Sequence, residues 1–190
     1  MAVTRADAIA ALTAAGQPFE LQTIERDGVP LRVFANAPAS MRDVLGRFCT
    51  GIAVITASDG VRPYGFTCQS VTSVSLDPPY ISFCPARTSK TWPMIRDIGA
   101  LCVNILAHDQ HHLCTQFAVS AADKFVGVQW RPAGNGAPLI EGAVAAIEAT
   151  LEFEHGAGDH TIVVAHVTEL HAADDRRPLG VSAENHLGVG

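Results

Sequence analysis

Charged side chains are scarce in this sequence. Its 190 residues include 13 Lys and Arg and 19 Asp and Glu, so 17% are charged, where about 25% is usual for a soluble domain. Residues 63–86 contain one charged residue, Asp77, and residues 98–122 contain only Asp109. We therefore expect the middle of the chain to be largely buried, within a single core of the size typical for this length.

The sequence also lacks a cluster of Lys and Arg and a long apolar run. A net charge of −6 without a basic patch argues against binding to nucleic acid or to an anionic membrane through bulk electrostatics. The apolar segment 8–15 is rich in alanine and follows Arg5 and Asp7, which is atypical of a secretory signal. No run approaches the ~18 residues of a membrane span. The expected location is therefore the cytoplasm.

Paired cysteines and common catalytic motifs are missing as well. The five cysteines are 12 to 19 positions apart, which excludes a CxxC pair and a zinc-type cluster of thiolates. An odd number of cysteines in apolar surroundings indicates buried, reduced thiols. The motifs GxSxG, GxxxxGKS/T and HExxH do not occur, and no GxGxxG opens a helix. Hydrolase and nucleoside-triphosphatase functions therefore lose support.

The eight histidines are the main candidates for a metal site. On a helix, His108 and His112 would share a face, with His111 nearby. No carboxylate or thiolate is placed to complete a ligand set, because Asp109 lies on another side of the helix. A solvated helix face is the favoured interpretation, and no metal is predicted. A haem- or metal-binding barrel that uses this cluster remains an alternative.

The pattern of apolar residues predicts a mainly β protein with short helices. The Asp27-Gly28 step predicts a hairpin within residues 1–38, an N-terminal extension whose role the sequence leaves open. Residues 39–190 are expected to form one domain with about six strands and three short helices. Strands do not alternate with long helices, so a small, antiparallel β-barrel with helices packed on it fits better than a parallel sheet.

The boundaries of the elements follow from periodicity, caps and turns. Helices are predicted at 41–50, 88–98 and 108–117, and a loop is predicted at 129–137. In the second helix, Thr88 and Thr91 are both candidate caps, and Pro93, which is tolerated only in a first turn, favours the later start. Strands are predicted at 52–58, 64–74, 80–84, 101–106, 145–154 and 161–170. Alternation along 145–154 places Ile147 on a buried face and Glu148 on a solvated face. The chain after Pro178 is expected to be featureless.

Two neighbouring segments carry most of the polar groups that could bind a ligand. Residues 84–91, CPARTSKT, leave an apolar strand and enter a helix, so they place amides, hydroxyls and two cations where a phosphate could bind. A capped helix start with solvated basic residues is the alternative. Residues 63–73, PYGFTCQSVTS, could bring backbone groups to a flat polar heterocycle. Alternatively, their hydroxyls bond neighbouring strands.

The whole set of motifs resembles a known family. RDVLGRFCTGIAVIT, YGFTCQSVTSVSLDPPYISFCPARTSKTW, LCVNIL, DKF and a Gly-Asp-His turn at 158–160 occur in this order. Together they resemble the flavin reductase family with the FMN-binding split barrel, especially the small reductase components of two-component flavin monooxygenases. The resemblance spans residues 41–170 and implies an antiparallel split β-barrel that forms a homodimer. It departs from the family after Pro178, where GVSAENHLGVG replaces the usual aromatic residues, arginine and glycine.

The resemblance also implies a function. The chain would be an NAD(P)H:flavin oxidoreductase that reduces FMN or FAD with NADH or NADPH and supplies reduced flavin to a partner oxygenase. Because the flavin is itself the electron sink, no acid–base triad is needed. A flavin-binding split-barrel protein with little or no reductase activity is the alternative.

The same resemblance assigns roles to individual residues. His160, in the Gly-Asp-His turn, would be the catalytic residue beside the nicotinamide, although a turn histidine bonded to backbone is an equally good interpretation of its sequence context. The cofactor-binding residues would be Tyr64, Gly65, Phe66, Thr67, Gln69 and Ser70 at the isoalloxazine and ribityl, Cys84, Pro85, Ala86, Arg87, Thr88, Ser89 and Lys90 at the ribityl and phosphate, and Asn104 and Phe117 in the pocket wall.

Overall fold

The computed structural model describes residues 20–34, 38–120, 123–181 and 186–188. These residues fall into two compact units, and the chain passes from the first to the second between Cys49 and Thr50. The domain boundary expected after residue 38 stays a prediction.

The first unit contains the expected hairpin. Strand β1 (Glu20–Arg26) pairs antiparallel with β2 (Val29–Phe34). Asp27 and Gly28 at the turn have φ values of 54° and 76°, the left-handed values that a two-residue hairpin turn requires and that an Asp-Gly pair tolerates. Helix α1 (Pro38–Leu45) begins before the predicted residue 41, because Pro38 suits the first turn of a helix.

The second unit is mainly β-structure. Its strands are β3 (Thr50–Gly51), β4 (Ala53–Ser58), β5 (Pro63–Cys68), β6 (Thr72–Leu76), β7 (Pro79–Phe83), β8 (Ala100–Ile105), β9 (Trp130–Pro132), β10 (Pro138–Ile140), β11 (Ala145–Ala157), β12 (His160–Ala172), β13 (Leu179–Val181) and β14 (His186–Gly188). Seven of them form one sheet in the order β5–β4–β8–β11–β12–β7–β6. All pairings in this sheet are antiparallel, as predicted.

Two short helices and one 3₁₀ turn connect the strands of this unit. Helix α2 (Trp92–Ile98) has Thr91 at its N-cap position. This is the later of the two predicted starts, and Pro93 lies in the first turn, as predicted. Gly99, with φ of 80°, follows its last residue. The helix predicted at 108–117 is a 3₁₀ turn (His108–Gln110) followed by α3 (His111–Ala118).

Three predicted segments differ from the structure. The strand expected at 64–74 is interrupted between β5 and β6, and the hydroxyl of Ser70 in this interruption accepts a hydrogen bond from the Cys84 amide. The loop expected at 129–137 includes β9, which pairs with β10. The chain after Pro178 forms β13, which pairs with β3 and β14. Strands of three residues are too short to produce a detectable period of two.

Two apolar clusters lie on opposite faces of the large sheet. Neighbouring residues of β4 point in opposite directions, so Ile55 belongs to the cluster under α2 and Val54 to the cluster under α3. Burial on both faces explains why this part of the chain contains so few charges. The five cysteines are all free thiols, as predicted, but only Cys68 and Cys102 are buried, and Cys49 is exposed.

Glu148 does not lie on a solvated face of β11, which corrects the prediction. Its side chain is 2% exposed, because the segment between β9 and β10 covers this face of the strand and its amides reach the carboxylate. The carboxylate accepts hydrogen bonds from the amides of Gly134 and Asn135, at 3.1 and 2.8 Å, and from Nε2 of His171 at 2.9 Å. Burial by itself raises the pKa of Glu148, but these hydrogen bonds outweigh it and hold the pKa below its ordinary value of 4.5.

We expect Glu148→Gln to lower the free energy of unfolding near neutral pH by about 1–3 kcal/mol, because the carboxamide offers one acceptor oxygen to three donors. A carboxyl whose pKa is lower in the folded state stabilises the protein above its unfolded-state pKa, and this contribution is lost as the pH falls through the folded-state pKa. As the pH falls below 4.5, the ordinary pKa of a glutamate, the wild type should therefore lose stability more steeply than the variant.

Urea unfolding at a series of pH values measures this difference. Glu152→Gln is the matched control, because Glu152 is an exposed residue of the same strand. Equal pH slopes for the wild type and Glu148→Gln would contradict the role of this carboxylate.

Candidate active site

A cleft of about 730 Å³ opens beside the large sheet. Most of its lining comes from three parts of the chain: the end of β5 with the turn after it, the segment that follows β7, and the C-terminal half of α3. The residues Ser120, Lys124 and His160 complete the lining. The volume lies in the range of sites for small molecules and cofactors. The predicted site residues in its wall are Phe66, Thr67, Gln69, Ser70, Cys84, Pro85, Ala86, Thr88, Ser89, Lys90, Phe117 and His160.

Hydrogen bonds on two sides hold the segment that follows β7. On one side, the Cys84 amide donates to Oγ of Ser70 at 2.7 Å. On the other side, the Thr161 amide donates to the Pro85 carbonyl at 3.0 Å, and the Arg87 amide donates to the Asp159 carbonyl at 2.9 Å. The two turns that flank the cleft are therefore fixed to one short irregular segment.

Polar groups gather where this segment approaches α2. Thr88, Ser89 and Lys90 all line the cleft. The Ser89 amide donates to the Ala86 carbonyl at 2.9 Å, and Oγ of Ser89 accepts from the Trp92 amide at 3.1 Å. Two hydroxyls and the ammonium of an exposed lysine are donors that suit an anionic group such as a phosphate.

The apolar wall of the cleft depends on a close approach between β5 and α3. A Cβ atom on Gly65 would lie 2.7 Å from Cε1 of Phe117, so no larger residue fits without displacing this ring. Oγ1 of Thr67 donates to the Cys114 carbonyl at 2.7 Å and fixes the same two elements. Gly65 thus positions the fully buried Phe117 behind the cleft rather than contacting a ligand there.

Lys124 is a part of the site that the sequence prediction missed. Its Nζ donates to the carbonyls of Phe117 and Gly65, at 2.9 and 3.2 Å, and lies 3.5 Å from Oγ1 of Thr91. All three acceptors are neutral, and burial lowers the pKa of the lysine. The ammonium of Lys124 therefore connects β5, α3 and the start of α2. The signal in the sequence was a lysine next to an aromatic residue directly after a segment almost free of charge.

His160, the predicted catalytic residue, lies at the edge of the cleft. It is the first residue of β12 and forms an isolated bridge with Ala86. Its Nδ1 is 2.9 Å from Oδ1 of Asp159, and 46% of its side chain is exposed. The imidazole is thus oriented by a carboxylate and remains accessible from the cleft.

Two predicted residues lie in a small neighbouring cavity rather than in the cleft. Tyr64 and Gly65 line a space of about 90 Å³, with Lys124 between it and the main cleft. The Tyr64 hydroxyl donates to Oδ2 of Asp59 at 2.8 Å, and this hydrogen bond raises the pKa of the tyrosine. Tyr64 is therefore engaged by the turn between β4 and β5.

Asn104 and Arg87 are also displaced from the predicted position. Asn104 is fully buried, its Nδ2 donates to the carbonyls of Val54 and Pro138, and its Oδ1 accepts from the Ile140 amide. It joins β4, β8 and β10 and does not line the cleft. Arg87 lines a separate cleft on the other side of its segment.

Further lining residues were not among the site residues that the sequence predicted. They are Cys68, Thr91, Cys114, Ala118, Ser120 and Lys124. Most of them belong to α3 or follow it, and only the packing of α3 on β5 brings them to the cleft.

The structure also bears on the metal site and the membrane span that the sequence analysis considered. Among the described residues, the group with metal-ligand spacing is Glu148, Glu169 and His171, and the cluster at His108–His112 is not such a group. In the part of the chain that the structure describes, no helix combines the length and apolar character that a bilayer span needs.

The antiparallel sheet and the cleft at its edge define a small β-barrel protein that binds a cofactor-sized ligand. Comparison of sequences makes this class specific: residues 45–186 match the flavin reductase like domain family, and the chain belongs to it. The resemblance seen in the sequence motifs and the split-barrel fold are thereby confirmed.

Several relatives support this assignment. The chain is 42% identical to the reductase subunit HsaB of a flavin-dependent monooxygenase from Rhodococcus jostii (strain RHA1), over 80% of this chain and 78% of the relative. It is 44% identical to a flavin reductase from Pseudomonas putida, over 70% of this chain and 79% of that protein.

Solved structures of similar proteins have the same fold. Nitrilotriacetate monooxygenase component B from Mycobacterium thermoresistibile is 40% identical, with a TM-score of 0.76 over 80% of this chain and 86% of that chain. The NADH:FAD oxidoreductase SgcE6 from Streptomyces globisporus is 30% identical, with a TM-score of 0.79 over 85% of this chain and 99% of that chain.

The close contact between Gly65 and Phe117 gives a test of how the cleft wall is built. We expect Gly65→Ala to destabilise the protein by about 1–3 kcal/mol, the usual cost of overpacking. Gly51→Ala is the matched control, because a Cβ atom there meets nothing within 4 Å. Denaturant unfolding measures both variants, and Phe117→Leu in the Gly65→Ala background should recover part of the loss. Equal stability of the two alanine variants would contradict this packing.

Proposed function

We propose that this chain is an NAD(P)H:flavin oxidoreductase that reduces FMN or FAD. The observation that carries the proposal is the composition of the cleft. Its lining combines the apolar side chains of Phe66, Phe117 and Ala118 with a polar group, the hydroxyls of Thr88 and Ser89 and the ammonium of Lys90.

This donor set fits a flavin nucleotide. The apolar wall suits the flat ring system, and the hydroxyl and ammonium donors suit the ribityl chain and phosphate. Bound flavin would supply the electron sink that accepts a hydride from the nicotinamide. The protein then has to hold two rings in contact and exclude water, which needs no acid–base triad.

The chain also has to stabilise the negative charge that the reaction leaves on the ring system. Lys124 is suited to this task, because its ammonium bonds only neutral oxygens in the wall of the cleft. The neighbouring strands are almost free of charge, so a cation here acts at a lower effective dielectric constant than in water.

His160 is proposed to contact the nicotinamide. The carboxylate of Asp159, 2.9 Å from Nδ1, orients the imidazole at the open side of the cleft. From this position the ring can hold the nicotinamide over the flavin, while the phosphate end of the flavin lies near Thr88 and Ser89.

The proposal predicts that the protein oxidises NADH or NADPH in air when FMN or FAD is added. His160→Ala should raise the KM for the nicotinamide nucleotide roughly tenfold, the loss of about one hydrogen bond or ring contact, and change the KM for flavin much less. Steady-state assays with the four combinations of nucleotide and flavin measure this split and identify the preferred pair.

His155→Ala is the matched control, because His155 is an exposed residue of β11 close to the same turn and outside the cleft. Equal effects of His160→Ala on both KM values, or no effect, would remove the nicotinamide role. Tight flavin binding without oxidation of NADH or NADPH would identify a flavin-binding protein in place of a reductase.

We further propose that the reduced flavin passes to a partner oxygenase. The relative from Rhodococcus jostii is named as the reductase subunit of a flavin-dependent monooxygenase, which supports a shared division of labour. Gln69 and Lys90 are exposed at the rim of the cleft, so a bound flavin has an open route to solvent.

We also propose that the chain forms a homodimer through the exposed face of β7, β11 and β12, the face that carries Tyr80. Tyr80 packs there against His166 and Phe153, with ring centroids 5.6 and 6.4 Å apart. Phe153 is 50% exposed, and Ile162, on the same face of β12 as His166, is 40% exposed. An exposed aromatic patch on a sheet suits a second copy of the same surface.

Phe153→Glu should convert the dimer into a monomer, because a carboxylate would be buried without a partner in the interface. Size-exclusion chromatography with light scattering measures the mass, and circular dichroism checks that the variant is folded. Val61→Glu, at an exposed turn position, is the control. A monomeric wild type, or a folded Phe153→Glu variant that stays dimeric, would contradict this interface.

A further inference from the structure

A second cleft lies next to the first, on the other side of the segment that follows β7. It has a volume of about 410 Å³, and its wall includes Arg87, Ser89, Pro93, Arg96, Glu154 and Thr161. The proposed flavin reaction uses none of these residues except Ser89, which lines both clefts. The second cleft therefore needs its own explanation.

The backbone beneath Arg87 is fixed while its side chain is exposed. The Arg87 amide donates to the Asp159 carbonyl at 2.9 Å, and the preceding Pro85 carbonyl accepts from the Thr161 amide at 3.0 Å. Thr88 lies on the first cleft and Arg87 on the second. Because hydrogen bonds hold the segment on both sides, the backbone of Arg87 has a fixed position between the two clefts, and the guanidinium extends from there.

The second cleft contains a further guanidinium, that of Arg96 on α2. Its Nε and Nη2 both lie 3.1 Å from Oδ1 of Asp97, a side-on pair that orients the group. The carboxylate in the wall, Glu154, accepts a hydrogen bond from Nε1 of Trp92 at 2.8 Å and is thereby held against α2. Arg96 is thus already paired, and the Trp92 hydrogen bond occupies Glu154, so Arg87 is the guanidinium that offers its donors most directly to a ligand. A guanidinium supported by a second one, beside an apolar surface at Pro93, suits a phosphate joined to a flat, largely apolar ring.

The position of Ser89 indicates what kind of molecule could use both clefts. A mononucleotide in the first cleft would end at its phosphate, near Thr88, Ser89 and Lys90. A dinucleotide would continue from there through a second phosphate, and the next cation of the same segment is Arg87, which lines the second cleft.

We propose that the cleft between Arg87 and Arg96 binds the adenosine-phosphate half of a dinucleotide whose other half occupies the first cleft. This inference rests on the proposed function, which supplies two such dinucleotides, FAD and NAD(P)H. Both contain adenosine linked through a pyrophosphate, so the site recognises a chemistry that FMN lacks. Arg87 thus selects between cofactors rather than holding the phosphate of FMN.

Dissociation constants of four ligands test the proposal: FAD, FMN, NADH and reduced nicotinamide mononucleotide. They are measured by fluorescence for the wild type, for Arg87→Gln with Arg96→Gln, and for Arg62→Gln as a control at an exposed turn. The double variant should raise the dissociation constant of either FAD or NADH by about tenfold or more, which corresponds to the loss of one or two charge-assisted hydrogen bonds. Its affinity for the corresponding mononucleotide should stay within about twofold of the wild type.

Selective loss of FAD binding assigns the site to the flavin dinucleotide, and selective loss of NADH binding assigns it to the nicotinamide dinucleotide. Equal weakening of FAD and FMN, or no change for any ligand, would overturn the proposal. A wild type that binds these ligands but does not transfer hydride would refute the proposed reaction, whereas the affinities alone decide the role of the second cleft.

Discussion

The hydrogen bonds on both sides of segment 84–88 decide where a ligand can bind. β7 ends at Phe83, and the next residues leave the regular ladder, so their backbone groups need other partners. Ser70 supplies one through its hydroxyl, and Thr161 and Asp159 supply others through backbone groups. The turn after β5, the turn before β12 and the approach to α2 therefore meet along one short segment. It forms the wall that separates the two clefts.

The scarcity of charge gives this arrangement its electrostatic character. β4 and β8 are buried on both faces, so their segments carry no ionised side chains. Among the residues that line the first cleft, the lysines are Lys90 at its rim and Lys124 in its wall, and no carboxylate is in this lining. Lys124 is held by neutral oxygens, and burial lowers its pKa, so a developing negative charge in the cleft would relieve an unfavourable environment. A charge deficit that first indicated only burial thus also favours chemistry on an anion.

Local sequence features predict a substantial part of the fold and of the cleft. Asp27-Gly28 predicts its hairpin, Pro93 and Gly99 limit α2, and two polar segments beside apolar strands contain most of the residues that line the cleft. The failures came from longer-range structure. The segment between β9 and β10 buries Glu148, the packing of α3 on β5 brings Lys124 to the cleft, and the buried amide of Asn104 bonds β4 and β10 from its position in β8. Spacing along the chain does not contain this information, because each case depends on contacts between residues far apart in sequence.

Hydride transfer from a nicotinamide to flavin in the first cleft is the step on which the proposed function depends. Rapid mixing of NADH with the protein–flavin complex in the absence of oxygen measures this step most directly, because no later reaction can contribute to the signal. We expect the flavin absorbance to be lost with one NADH oxidised per flavin, and deuterium at the transferred position of NADH to slow the step. Flavin that stays bound and oxidised in the presence of NADH would show that this cleft does not support the transfer.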